Sequence, residues 1–233
     1  MKRIAISQSN YIPWKGYFDS INAVDVFVLY DDMQYTRRDW RNRNKIKTKD
    51  GAKWLTVPVE VKGKYFQKIN ETKISDAGWG QDHWNSILHS YSKAPFFKEY
   101  KDIFETIYLG DKEEYLSKIN YKFIKAVCDI LGITTTILWS DQFQLLEERN
   151  ERLIGICKEL NGTDYYSGPA AKFYMDESLF EKNGIKVHWY DYSGYPVYNQ
   201  LHGEFDHAVT ILDLIFNEGP EATKFMKSFG HEK

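Results

Sequence analysis

Short apolar runs alternate with amphipathic segments of helical period over much of the chain, and this alternation constrains the fold more than any other feature. Residues 25–30 form a nearly continuous run of β-branched and aromatic side chains, which is typical of a strand covered on both faces. An earlier apolar run, at residues 3–7, is separated from it by a loop and a short helical pattern. Strand, helix and strand in this order predict a βαβ unit with two parallel strands.

The alternation returns in the second half of the chain. Helical patterns cover residues 119–131, 147–160 and 170–182, and apolar runs cover 134–139, 164–167 and 185–190. Gly132 follows the first of these helices in the position of a C-terminal cap. Helices of about 10 to 15 residues between short strands are the signature of an α/β fold. We therefore predict a mostly parallel, Rossmann-like sheet flanked by helices.

The region between these halves follows a different pattern. Residues 54–61 are predicted to be extended, with Pro58 arguing for an edge position, and residues 68–74 are predicted to pair with them. Residues 80–116 have helical periodicity that Pro95 interrupts. We predict a single α/β domain over residues 1–233 with an antiparallel and helical insertion at about 50–118. A C-terminal helix within residues 205–229 is predicted to dock on the sheet.

Charge and apolar content exclude several classes of protein. The 31 Lys and Arg residues balance 33 Asp and Glu residues, so no nucleic-acid partner is expected. No apolar run approaches the roughly 20 residues of a membrane span, and the N-terminus lacks the features of a signal peptide. A cytoplasmic protein is therefore expected, in which Cys128 and Cys157 are reduced core residues.

Several sequence motifs of known chemistry do not occur. The chain has no phosphate loop, no Gly-x-Gly-x-x-Gly, no Gly-x-Ser-x-Gly and no zinc signature. These absences disfavour a phosphate-loop NTPase, a standard dinucleotide oxidoreductase and an ordinary serine hydrolase. The sequence predicts no metal site and identifies no cofactor.

Polar and aromatic residues follow the predicted strands. In an open α/β sheet, ligands bind beyond the carboxyl ends of the strands, where the loops converge. This rule selects a set of candidate ligand contacts: Gln8, Asn10, Tyr11, Trp14, Ser167, Gly168 and Tyr174. For Ser167, a role in a turn or helix cap is an equal alternative.

Four of the seven arginines of the chain lie within residues 35–47. Arginine offers a planar fork of donors that grips a phosphate or a carboxylate at two points. We predict an anion site, suited to a diphosphate or a carboxylate, formed by Arg37, Arg38, Trp40, Arg41, Asn42 and Arg43. The alternative is a solvated basic loop that forms surface ion pairs with nearby aspartates.

Three residues are candidates for catalysis. Asp31 and Asp32 end the second predicted strand, where a carboxylate is suited to act as a general base or to bind a magnesium ion that bridges a phosphate. Neighbouring residues of an extended chain point in opposite directions, so one of the two is expected to face the ligand. His83 lies near a predicted helix start, which favours a neutral imidazole that can accept a proton. A packing or hydrogen-bonding role is the alternative for His83.

Distinctive strings of residues occur along the whole chain, at 8–18, 25–35, 40–44, 54–59, 91–96, 166–174 and 210–219. Together they resemble the WbqC-like protein family. Ser9 stands where that family usually has Pro, which is expected to loosen the first loop, and Thr210 stands where it usually has Ser.

The resemblance implies a role in the synthesis of O-antigen or another bacterial surface polysaccharide. Combined with the predicted anion site, it suggests a transferase that moves an acyl or aminoacyl group, such as glycyl, onto a nucleotide-linked amino sugar. The expected partner is a nucleotide sugar or another phosphorylated small molecule. A non-catalytic accessory protein that binds a sugar nucleotide, and a nucleotidyltransferase, remain open alternatives. The resemblance assigns no residue roles and no oligomeric state.

Overall fold

The computed structural model describes residues 1–110 and 113–230. The strands in this part of the chain are β1 (Arg3–Ser7), β2 (Val26–Leu29), β3 (Arg43–Thr48), β4 (Gly51–Thr56), β5 (Thr136–Trp139), β6 (Asp164–Ser167) and β7 (Lys186–Trp189). The α-helices are α1 (Lys15–Asn22), α2 (Trp79–Tyr91), α3 (Phe97–Glu105), α4 (Leu116–Leu131), α5 (Arg149–Glu159), α6 (Glu177–Lys182) and α7 (Ile211–Glu218).

Five strands form one parallel sheet in the order β5-β2-β1-β6-β7. Successive side chains of its central strands enter different cores. Ile4 and Ile6 pack with α5 and α6, whereas Ala5 packs with α1 and α4. The sheet is thus covered on both faces, and the predicted Rossmann-like α/β class is confirmed. The strand order reverses at β1, which places a topological switch point between β1 and β6.

A second, two-stranded sheet lies in the long connection between β2 and β5. Here β3 and β4 pair antiparallel, with Lys45 opposite Trp54. The sequence predicts that residues 68–74 pair with the extended segment, but the partner of β4 is β3. Residues 68–74 instead contain a 3-10 turn at Ile69–Glu71 and three isolated bridges, of which the one from Ile74 to Val59 joins them to the predicted extended segment. The strand was missed because β3 consists mainly of Lys, Arg, Asn and Thr, which hides its inward-facing positions.

The predicted helices are mostly confirmed. Gly132 ends α4 with a left-handed φ of 69°, as a C-terminal cap should. The helix predicted over residues 170–182 is two pieces, a 3-10 turn at Pro169–Phe173 followed by α6. Asp176 separates them because its carboxylate accepts the Leu179 N–H at 3.2 Å and begins a new helix.

The C-terminal helix α7 packs on α3 and β3. The ring of Phe216 contacts those of Tyr91, Phe97 and Phe104, with centroids 5.0–5.6 Å apart. The expected docking on the main sheet is therefore replaced by docking on the segment between β2 and β5.

No helix in residues 1–110 and 113–230 has both the length and the apolar character needed to cross a membrane. Cys128 and Cys157 are free and buried, as predicted.

Candidate functional site

A cavity of about 410 Å³ opens at the carboxyl ends of β1 and β6, where the strand order reverses. We call it the crevice. Ser7 and Gln8 line it from the β1 side, and Ser167 and Gly168 line it from the β6 side. Seven tyrosines complete most of its wall: Tyr17, Tyr30, Tyr165, Tyr166, Tyr174, Tyr190 and Tyr192.

Arg41 lines the crevice and is held there by two neutral side chains. Its Nη1 donates to Oδ1 of Asn10, and its Nη2 donates to Oε1 of Gln8. Its ion pair with Asp39 is long, at 3.8 Å, and 16% of its side chain is exposed. Amide partners orient a guanidinium without cancelling its charge. Arg41 is therefore prepared to bind an anion in the crevice.

Backbone contacts hold Arg41 and the opening loop, residues 8–14, against each other. The Tyr11 N–H donates to the Trp40 carbonyl at 2.9 Å, and Asn44 Nδ2 donates to the Ile12 carbonyl at 2.6 Å. Ile12 has a φ of 37°, which is a strained conformation for a β-branched residue. The loop is therefore kept in one shape by its neighbours.

Ser9 stabilises the opening loop and does not loosen it. The side chain is fully buried, its N–H donates to Oδ1 of Asp31 at 2.8 Å, and its Oγ accepts from Asn120 at 3.1 Å. A proline at this position has neither the N–H nor the hydroxyl. The expectation drawn from the family pattern was wrong because Ser9 supplies two hydrogen bonds.

The other predicted arginines do not converge on Arg41. Arg37 donates to the Val61 carbonyl at 3.0 Å, and the guanidinium of Arg43 stacks 4.2 Å from the ring centroid of Trp54. Arg38 is exposed in a turn with a φ of 57°, where its carbonyl accepts from Arg43. The turn and the start of β3 point consecutive side chains in different directions, so only Arg41 reaches the crevice.

Neither predicted catalytic aspartate lines the crevice. Asp31 is buried, and burial raises the pKa of its carboxyl above the usual value. Its second oxygen, Oδ2, has no hydrogen-bond partner in the part of the chain that the structure describes. Asp32 accepts from Ser140 Oγ at 2.6 Å and from Lys68 Nζ at 3.4 Å. As predicted, the two side chains point in different directions, but neither faces the ligand cavity.

His83 belongs to a closed network of aromatic residues. Its Nδ1 lies 2.8 Å from the hydroxyl of Tyr11, which is 2.7 Å from the hydroxyl of Tyr108. Burial lowers the pKa of His83 to about 4, although a hydrogen bond to the Thr56 backbone acts in the opposite direction. His83 is thus neutral, as predicted, but it lies on the buried side of α2 and does not line the crevice.

We expect His83 to make the protein less stable in acid. The imidazole has a pKa near 6.5 in an unfolded chain and about 4 in the fold. The unfolded chain therefore binds more protons between these values, and the free energy of unfolding falls as the pH drops through this window. Between pH 7 and pH 5 the loss due to His83 is about 2 kcal/mol. Urea unfolding at several pH values measures it.

The control for this prediction is His83→Gln, a neutral side chain that can bond to both partners. Its free energy of unfolding should vary less with pH between 4 and 6.5 than that of the unmodified chain, whereas exposed His89→Gln should leave the profile unchanged. Equal pH profiles for the unmodified chain and His83→Gln would contradict the assignment.

Apart from Arg37, Arg38 and Arg43, which line neither of two cavities, the predicted ligand contacts fall into three groups. Those that line the crevice are Gln8, Arg41, Ser167, Gly168 and Tyr174. Those that line a second cavity are Asn10, Trp14 and Trp40. Tyr11 and Asn42 are buried supports, and Asn42 Nδ2 donates to the Val57 carbonyl at 2.8 Å.

Sequence reasoning missed Arg149 and most of the crevice tyrosines. The guanidinium of Arg149 lies 4.4 Å from the ring centroid of Tyr174. Tyr165 and Tyr166 lie near the carboxyl end of β6, and Tyr190 directly follows β7. The rule that selects residues beyond the strand ends would find Tyr190, whereas Tyr165 and Tyr166 lie within β6 and only the structure shows that they line the crevice.

Within the described ranges, no group of three or more His, Cys, Asp or Glu side chains is placed to hold a metal ion.

The fold and the crevice define an α/β protein with a ligand cavity at the switch point of a parallel sheet. The model of the WbqC-like protein family matches residues 8–225, and the chain belongs to that family. It is 49% identical over 227 residues to the uncharacterized protein Rv1507c of Mycobacterium tuberculosis (strain ATCC 25618 / H37Rv), an alignment that covers 97% of this chain and 98% of the relative. No solved structure matches the chain.

Proposed function

We propose that this protein is a transferase of bacterial surface-polysaccharide synthesis that moves an acyl or aminoacyl group onto a nucleotide-linked amino sugar. The observation that carries the proposal is the position of Arg41 in the crevice, fixed by Gln8 and Asn10 with its charge available to a ligand. Arg149 lines the same cavity. The described residues that line the crevice include two guanidinium groups and no carboxylate. A lining of this kind suits a diphosphate.

The tyrosines of the crevice suit the nucleoside part of such a ligand. The rings of Tyr190 and Tyr192 are nearly parallel, with centroids 5.9 Å apart. The Tyr17 hydroxyl donates to the Gln8 carbonyl at 3.0 Å, and the Tyr190 hydroxyl donates to the Ser20 carbonyl at 2.8 Å. These bonds fix the rings, so an aromatic surface for a base or a ribose exists before the ligand binds.

In the proposed reaction, the amine nitrogen of the sugar attacks the carbonyl carbon of an acyl thioester or an aminoacyl ester. The new C–N bond replaces the C–S or C–O bond, and the thiol or alcohol leaves with the proton that the amine loses. No oxidant or reductant is needed. Positioning of the two substrates would supply most of the rate enhancement.

A non-catalytic role has one specific observation in its favour. Asp31, Asp32 and His83, the predicted catalytic residues, all lie outside the lining of the crevice. A protein that binds a sugar nucleotide and presents it to another enzyme would need the crevice but no base. This accessory role is the second candidate.

Mass spectrometry of reaction mixtures tests the proposal. The purified protein is incubated with nucleotide-linked amino sugars and a panel of acyl thioesters and aminoacyl esters, and an acylated sugar nucleotide is the expected product. The same mixtures with Arg41→Gln should yield far less product. Nucleotide-sugar binding with no product over the whole panel would favour the accessory role, and a protein that binds no nucleotide would overturn both.

We place this reaction in the cytoplasm. The two free, buried cysteines support that placement, as does the proposed nucleotide-sugar substrate.

A further inference from the structure

A second cavity, of about 280 Å³, lies beside the opening loop. Two tryptophans, Trp14 and Trp40, supply the aromatic part of its lining. Polar groups come from Asn10, Asn44 and His207, and the remaining lining residues are Pro13 and Ala208. The residues of this sugar-sized cavity come from the opening loop, from the basic segment (residues 35–47) and from residues 207–208, which precede α7.

The second cavity and the crevice are separated by single side chains. Asn10 lines the second cavity and accepts a hydrogen bond from Arg41, which lines the crevice. Trp14 also lines the second cavity, and its ring contacts that of Tyr192 in the crevice wall, with centroids 5.5 Å apart. The second cavity therefore lies one side chain away from the phosphate position proposed at Arg41.

The lining of the second cavity favours an uncharged ring with hydroxyl groups. Indole faces pack against the C–H surface of a sugar ring, and amide and imidazole groups bond to its hydroxyls. Among the described residues that line it, none is Lys, Arg, Asp or Glu. Partial burial and the charge of Lys15 lower the pKa of His207, which favours its neutral form. A phosphate has no cationic partner here.

Two of the lining groups are already in place for a ligand. Asn10 uses its Oδ1 for Arg41, and its Nδ2 has no hydrogen-bond partner within residues 1–110 and 113–230. The indole of Trp14 lies across Gly16, where an added Cβ would be 2.3 Å from the ring. The glycine thus allows Trp14 to occupy this position, and Asn10 can donate to a ligand.

We propose that the second cavity is a subsite for the sugar ring of a nucleotide sugar whose diphosphate is bound by Arg41. The assignment rests on the proposed function and extends it by giving a binding site to the amino sugar that accepts the acyl group. A cavity without a carboxylate among its described lining residues offers an ammonium group no ion-pair partner, which favours an amino sugar whose amine is neutral and nucleophilic.

The test compares Trp40→Ala with Trp54→Ala by isothermal titration calorimetry. Both indoles are partly exposed, at 42% and 39%, and their rings lie 5.4 Å apart, but only Trp40 lines the cavity. Trp40→Ala is expected to weaken binding of UDP-glucosamine about tenfold and to leave the affinity for UDP unchanged. Trp54→Ala should change neither affinity.

If Trp40→Ala leaves the UDP-glucosamine affinity unchanged, or weakens UDP binding by the same factor, the sugar subsite is overturned while nucleotide binding and the proposed function survive.

If the unmodified protein binds neither compound, the proposed function fails, and methyl glucosaminide then tests the subsite alone. A change in tryptophan fluorescence that requires Trp40 supports a sugar site. No such change, or a response to uridine or adenosine instead, overturns it.

Discussion

Replacing Arg41 with Gln is expected to weaken the binding of a nucleoside diphosphate by about 30- to 100-fold, the equivalent of about 2 to 3 kcal/mol. Glutamine keeps a polar side chain but removes the charge and the planar fork that bind a phosphate at two points. Gln8 and Asn10, which now orient Arg41, would lose their donor. Calorimetric titration with UDP and ADP measures the change in Kd.

Arg43→Gln is the matched control for this prediction. It removes the same charge two residues further along the chain, where the guanidinium stacks on Trp54. Its effect on the Kd should be less than about threefold, the size expected from a distant charge. An equal loss of affinity in both variants would show that the basic segment acts as a diffuse positive field, and it would remove Arg41 from its assigned role.

Replacing Phe216 with Ala is expected to lower the free energy of unfolding by about 3 to 5 kcal/mol. The Phe216 side chain is fully buried, and its ring contacts three other aromatic rings, from Tyr91, Phe97 and Phe104. Truncation leaves a cavity that these large rings cannot fill. Urea unfolding followed by circular dichroism measures the loss.

The control for Phe216 is Phe173→Ala, because Phe173 is 95% exposed. Its effect should stay within about 0.5 kcal/mol. A loss below about 1 kcal/mol for Phe216→Ala would contradict the docking of α7 on α3 and β3, since such a small value is typical of a partly exposed site.

The docking of α7 also matters for the two cavities. The Thr210 N–H donates to the Lys45 carbonyl at 2.8 Å, and the Ile211 N–H donates to the Pro13 carbonyl at 3.0 Å. The start of α7 is thus bonded both to β3 and to the opening loop. We expect Phe216→Ala, assayed under conditions where it remains folded, to weaken UDP-glucosamine binding as well.

Local patterns in the sequence were sufficient to predict the main sheet. The apolar runs at 3–7 and 164–167 coincide with β1 and β6, and the cap at Gly132 ends α4 as predicted. Strands, helices and helix caps depend on residues that are close together in the chain and on which face of each element is buried. Both appear directly in the periodicity of apolar residues along the sequence. The polar residues after β1 and β6 were located by the same logic.

The sequence alone predicted ligand contacts in the opening loop and in a cluster of four arginines, but it did not show which arginine would line the crevice. Arg37, Arg38, Arg41 and Arg43 are chemically alike, and their separation depends on the turn at Arg38 and on the pairing of β3 with β4. Likewise, only the tertiary structure buried His83 among Tyr11 and Tyr108 and brought His207 beside Trp14. These outcomes depend on contacts between residues far apart in the chain, and no local pattern encodes the direction in which such side chains finally point.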